Sequence, residues 1–254
     1  MTSSSAERCL NFILLVLLKK ATTLVDRSPE DIKHACEKAC VVPDVLPFAP
    51  RDIVKVKYFH GFIANLGNKL ITNDVHIPPN IMDWPTKNNT YYTIVFVGPD
   101  EPSAAAASKS QIIYWLKSNI YEQRYMETGD TIVEYTTPEP LKGTSWHRYV
   151  YVVYEQPHGN MTIHMEIINS NSSSDPARAK FSAQAFAMKH KLGDALAVNF
   201  FIFEWREDFF EPLSLTPEDT TRSNGSECAF VMKAVPRTTT TTARPTLFSR
   251  TYIV

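Results

Sequence analysis

His147 and Tyr149 stand two apart in the run Trp146-His147-Arg148-Tyr149-Val150. On a strand, side chains two apart share a face, so this pair points the same way, with Tyr151 and Glu155 further along it. A ring N–H beside a phenolic hydroxyl can hold an anion. An ordinary sheet face with satisfied polar groups has the same pattern, and the spacing alone favours that plainer reading. A second feature is Gly98-Pro99-Asp100-Glu101-Pro102-Ser103. Two prolines three apart after a strand make a stiff turn, which could wall a pocket at the strand end or be only a turn. Cys36 and Cys40 lie at i, i+4, neighbours on a helix but poorly placed to bridge each other. One of them tied to Cys228 is one reading; free thiols are the other. No second close Cys/His pair exists, so no zinc site is expected. G-x-G-x-x-G, Walker A, H-E-x-x-H and G-x-S-x-G are all absent, and no activated nucleophile or carboxylate pair is visible. No catalytic residue, metal or cofactor is expected, and the protein reads as a non-enzyme.

The elements that must carry these residues are mostly strands. Residues 53–59 alternate, with Val54, Val56 and Tyr58 on one face and Lys55 and Lys57 on the other. Residues 91–97, 111–120, 131–135 and 146–155 are β-branched and aromatic, 162–168 is a weaker candidate, and 197–205 reads as a buried strand. Ser28-Pro29-Glu30-Asp31 opens a helix over 31–39, with a polar cap, a first-turn proline and acids at the positive end of the dipole. Prolines 43, 47 and 50 predict an extended segment over 41–50. A second helix over 182–190 has Ser182 as cap, an apolar face of Phe181, Ala185 and Met188, and Gly193 past its end. Helix and strand do not alternate regularly. That disfavours a doubly wound sheet and favours a mainly β fold, mostly antiparallel, with peripheral helices.

The chain has 254 residues, 44% of them hydrophobic, enough for one sizeable core. Twenty-six basic residues balance 27 acidic ones, for a formal net charge of −1. No global field favours nucleic acid, and no such partner is expected. Residues 204–219 are acidic, and 233–254 form a basic, Thr-rich stretch expected to be a disordered tail. The domain is expected over 31–232, behind a leader and spacer over 1–30. Within that leader, 10–18 is an apolar run broken only by Asn11. It is too short to span a bilayer, for which about 20 residues are needed. It has the length of a signal-peptide core with Arg8 before it, against which stand Glu7 and Lys19-Lys20. Secretion is the reading carried forward, with a cytoplasmic protein as the alternative. Four N-x-S/T sequons, at Asn88, Asn160, Asn171 and Asn224, stand against about two expected by chance, and each lies near a turn that would tolerate a glycan.

Taken in order, these pieces resemble the phosphatidylethanolamine-binding protein family, also called Raf kinase inhibitor proteins. Its D-P-D-x-P-S loop corresponds to Gly98-Pro99-Asp100-Glu101-Pro102-Ser103, and its F-L-V-V-N-I strand to Trp115-Leu116-Lys117-Ser118-Asn119-Ile120. Its P-x-G-x-x-x-H-R-Y-V segment, ending Y-E-Q, corresponds to residues 141–150 and Tyr154-Glu155-Gln156. Phe181, Phe186, Leu192, Gly193, Ala197, Asn199, Phe200, Phe201 and Trp205 keep the register of its closing motif. The opening Val41-Val42-Pro43-Asp44-Val45 is most similar to secreted insect members. The resemblance spans roughly residues 40–213. It implies a large antiparallel sheet packed with a smaller sheet and flanking helices. It also implies binding, without catalysis, of a lipid headgroup-like or other anionic ligand at one end of the large sheet. Some members instead inhibit kinases or serine proteases. A monomer with no integral membrane span is the expectation, with a small ligand as its partner and a protein target as the alternative.

Carried over residue by residue, the resemblance implies a ligand-binding set of Asp100, Pro102, Tyr114, His147 and Tyr149, with Ser103 beside them. Three positions depart from the family. The first loop Asp is Gly98, a pocket His is Tyr114, and a glycine at the rim is Glu139. Each lost charge-assisted hydrogen bond to an anion is worth about 1.5–3 kcal/mol. Two losses would weaken phosphate binding by roughly two to four orders of magnitude. A preserved scaffold with a partly degraded anion pocket is therefore expected, with Glu101-Pro102 a cis bond.

Overall fold

A computed structural model describes residues 26–144, 146–170 and 172–203. The leader core, Cys9, Cys228, Asn171, Asn224, the acidic stretch and the Thr-rich tail lie outside the described residues. Helix α1 (Pro29–Lys38) begins as its sequence dictates. The Ser28 hydroxyl accepts from the Asp31 amide at 3.1 Å, Pro29 occupies the first turn, and Glu30 and Asp31 sit where the helix dipole favours acids. Ile32 and Cys36, one helical turn apart, are fully buried against the large sheet. The extended run expected over 41–50 is instead opened by a short helical turn, α2 (Val41–Asp44), broken at Val42. A cis bond before Pro43 takes the chain through it.

The strands are β1 (Asp52–Ile53), β2 (Lys55–Lys57), β3 (Ile63–Ala64), β4 (Asn68–Lys69), β5 (Ile81–Asp83), β6 (Tyr91–Gly98), β7 (Ile112–Tyr121), β8 (Asp130–Val133), β9 (His147–Gln156) and β10 (Ala197–Phe203). The large sheet has the order β1-β10-β9-β6-β7-β8, with β4 also on β10; the small one is β3-β2-β5. The large sheet is mixed. β1 and β4 run parallel to β10, while the pairs among β10, β9, β6, β7 and β8 are antiparallel.

Both faces of the large sheet are covered, which is why its central strands read as unbroken apolar runs. Period two still divides them. Val95, Val97, Val150, Val152, Tyr154 and Val198 face α1, α2 and helix α3 (Ala183–Lys189). Ile94, Phe96, Tyr149, Tyr151, Val153 and Phe201 face the small sheet, where Val54, Val56 and Tyr58 close over them. That second core is aromatic. Phe96 stacks on Tyr151 at 4.0 Å between ring centroids and contacts Tyr114, Tyr135, Tyr149 and Phe201. The hydroxyls of Tyr58 and Tyr151 satisfy each other at 2.6 Å.

Two expectations are corrected. Residues 162–168 form no strand; Ile168 alone makes a bridge to Val133, while Met161, Ile163 and Met165 rest against the helix-side core. Helix α3 buries Ala183, Phe186 and Ala187, leaving Ala185 and Met188 exposed. The i, i+3, i+4 stripe thus starts one residue after the Ser182 cap, which accepts from the Ala185 amide. Among the described residues no helix is long and apolar enough to cross a membrane.

Candidate functional site

β6 ends at Gly98 and β9 begins at His147, and their antiparallel pairing (Val97 opposite Val150) brings these ends together. β7 starts beside them, with Gly98 opposite Ile112. Three chain segments thereby deliver Glu101, Tyr114, His147 and Tyr149 to one end of the sheet. His147, Tyr149 and Tyr114 are 1%, 0% and 1% exposed. Pro102, half-buried, follows Glu101 across a cis bond, as expected.

The pocket His and Tyr residues meet a carboxylate of the chain itself. Glu101 Oε1 accepts from the Tyr114 hydroxyl at 3.3 Å and lies 3.4 Å from His147 Nδ1. On the other side of the ring, His147 Nε2 is 2.8 Å from the Thr144 hydroxyl, which itself donates to the Leu141 carbonyl at 2.6 Å. The Tyr149 hydroxyl makes no well-formed hydrogen bond and interacts with the Tyr114 hydroxyl, while His147 Nδ1 has only the Glu101 carboxylate at 3.4 Å. Burial, reinforced by the Glu101 charge, raises the Tyr114 phenol well above its ordinary range. Burial does the same for Tyr149, with the Tyr114, Glu101 and Asp100 charges adding to it. Both phenols therefore stay protonated and can only offer or accept hydrogen bonds.

Asp100 is not free for a ligand. Its Oδ2 accepts from the Arg148 amide at 2.7 Å and from Nε at 2.8 Å, and its Oδ1 from Nη2 at 2.5 Å. Arg148 alternates to the face opposite His147 and Tyr149, where Nη1 donates to the Ala39 and Cys40 carbonyls and to Asp44, each at 2.8 Å. Burial opposes the guanidinium charge, but the Asp100 and Asp44 carboxylates outweigh it and hold the group protonated. Asp100 thus fastens the pocket loop to the end of α1. Glu139, expected at the rim, is exposed; the carboxylate beside His147 is that of Glu101.

Gly98 and Tyr114 compete for one space. A Cβ at Gly98 would lie 2.9 Å from Tyr114 Cε2 and 3.4 Å from Tyr149 Cε1. The ring of Tyr114 fills the space that an Asp at 98 would need. Behind it lies Arg178, fully buried, whose guanidinium donates to the Ile113, Glu134 and Ser170 carbonyls.

Sequence reasoning brought His147, Tyr149 and Tyr114 to this site and missed Glu101 and Thr144. A carboxylate at the open position of the loop motif, next to a motif that supplies a His, was the available signal for Glu101.

Residues 60–201, more than half of the chain, match the family model described as phosphatidylethanolamine-binding protein. A 26 kDa secreted antigen of Toxocara canis is 34% identical over 161 residues, 63% of this chain and 60% of the antigen. The chain therefore spans only three fifths of that relative's length. Two solved structures share the fold. A carboxypeptidase Y inhibitor, solved with its cognate proteinase, has a TM-score of 0.59 at 21% identity, covering 70% of this chain and 97% of its own. The phosphatidylethanolamine-binding protein of Plasmodium vivax has a TM-score of 0.58 at 19% identity, covering 71% and 99%. Family model, sheet order and the His147–Tyr149 strand end agree, and the chain belongs to the phosphatidylethanolamine-binding protein family.

Proposed function

We propose that the protein is a non-enzymatic binding protein that takes a small ligand at the end of β6, β7 and β9. The observation that carries this reading is the gathering of buried polar groups at one strand end, where His147 Nδ1 and the Tyr149 hydroxyl make no well-formed hydrogen bond within the chain and meet only the Glu101 carboxylate and the Tyr114 hydroxyl. Buried polar groups in native proteins are nearly always hydrogen-bonded, so a weakly satisfied cluster at a strand end is where a ligand atom would complete the bonding. Family relatives being binding or inhibitor proteins supports the non-enzymatic reading. The name of the Toxocara relative supports an extracellular location. A second reading, a protein-interaction factor such as a serine protease or kinase inhibitor with a vestigial pocket, is favoured by the closure of the site, with His147, Tyr114 and Tyr149 almost without exposure.

Native mass spectrometry of the full chain and of His147→Ala separates the two. A small molecule retained by the wild type and lost from the variant is the expected result. No retained or added small molecule in either protein, with protease inhibition unchanged by the substitution, would sink the small-ligand reading in favour of the second.

A further inference from the structure

We propose that a groove on the helix side of the large sheet is the seat of the chain's own segment Ala229-Phe230-Val231-Met232, which lies outside the described residues. The groove is apart from the strand-end site and needs no ligand there. It holds about 250 Å³ between residues 46–48, helix α3 and residues 193–195. Its floor is Leu46, Tyr154 and Ala187, all buried. The Tyr154 hydroxyl is turned to the Ala183 carbonyl at 3.5 Å, so the floor presents ring and alkyl surface. Its outer walls include Phe48 and Met188, which are 72% and 73% exposed. Among the described residues these are the two most exposed large hydrophobic side chains, and both line one groove. Single exposed apolar residues are ordinary; two on one apolar groove mark a surface that something covers.

Reach and charge select the occupant. β10 starts at Ala197, beside Ala195 of the groove, and ends at Phe203 opposite His147. Seven residues at about 3.3 Å each put the groove roughly 25 Å from the point where the chain leaves β10. Residues 204–228 join that point to the segment. Even an unordered chain of about 25 residues spans roughly 25–30 Å on average. Span and reach match, the condition under which a tether raises effective concentration most. Phe209 and Phe210 are nearer in sequence but would need full extension, since about six residues reach only roughly 20 Å. Lys233 directly follows Met232, and the exposed Asp194 carboxylate lines the groove. The segment thus offers apolar side chains and then a cation, where the groove offers an apolar floor and then an anion. The unbranched thioether of Met188 can adjust its shape around Phe230.

The test is mild peroxide oxidation of the full chain, read methionine by methionine by mass spectrometry. Met126, 70% exposed next to Tyr125 of the small-sheet core, is the open reference. Met82, 4% exposed, reports that the fold is intact. The expected result is Met188 oxidised about tenfold more slowly than Met126, as for a groove covered about nine-tenths of the time. Phe230→Ser is expected to raise the Met188 rate to that of Met126. Asp194→Lys and Lys233→Glu are each expected to raise it, and the two together to restore protection, a rescue that loss of fold cannot imitate. Met188 oxidised as fast as Met126 in the wild type would overturn the proposal. So would protection that survives Phe230→Ser. If that protection vanishes on dilution, a second copy covers the groove; if it is lost in Phe248→Ser, the later apolar segment does.

Discussion

At the scale of single residues, the site is governed by steric and charge pairings that no one position reveals. Gly98 and Tyr114 occupy one volume between them, so their substitutions must be coupled. Gly98→Ala is expected to cost about 1–3 kcal/mol, because the ring it meets is buried and has nowhere to move. Chemical denaturation measures this. In a double-mutant cycle with Tyr114→His the combined cost is expected to fall below the sum of the two singles; strict additivity would show that the two positions do not share space. Asp100 belongs to a different pairing. Asp100→Asn leaves Arg148 buried with half its compensation, and a broken buried pair costs about 3–5 kcal/mol. The loss should appear as a lowered unfolding midpoint with the slope unchanged. His147 and Tyr149 were legible in the sequence because the family motif names them, whereas strand alternation placed them on one face and by itself favoured an ordinary sheet face. The anchor role of Asp100 and the presence of Glu101 were not, since both depend on where a turn carries its side chains.

At the scale of elements, helix caps and long apolar strands were read correctly, while the buried face of α3 was not. Ser28 and Ser182 cap their helices, and β6, β7, β9 and β10 lie within a residue or two of where their apolar runs place them. Residues 162–168 show the limit of this logic. Apolar side chains there pack against the core with backbone pairing only at Ile168, and periodicity reports burial rather than hydrogen bonds. The same burial decides the chemistry of α1. Cys36 is fully buried, and desolvation, helped by the Glu37 charge, raises its thiol from 9.0 to about 12. The folded protein therefore holds this proton more tightly than the unfolded chain. The stabilisation is complete below about pH 9 and is lost as pH rises toward about 12. Thiol-specific alkylation at neutral pH is expected to spare Cys36 until denaturant is added; rapid modification of the native protein would contradict the burial of α1 on the sheet.

At the scale of the whole molecule, the two ends of the large sheet differ in kind. Gly98, Glu101 and His147 lie at one end. Asn88 and Asn160 are exposed just beyond the other, where Tyr91 pairs with Gln156. A ten-residue strand rising about 3.3 Å per residue separates them by roughly 30 Å. Glycans at Asn88 and Asn160, where the secreted reading puts them, would leave the site clear. Enzymatic deglycosylation of protein from a secretory host is expected to increase gel mobility without altering ligand affinity. A changed affinity would mean that the site extends to the far end of the sheet.

The shared volume of Gly98 and Tyr114 also limits how this pocket can be remade. An Asp placed at 98 alone is blocked by the standing ring, and a His placed at 114 alone leaves a gap beside a bare backbone. Neither step is favourable until the other has been taken. This corner of the pocket therefore behaves as a two-key lock, and a redesign that aims to reopen it must turn positions 98 and 114 in one step.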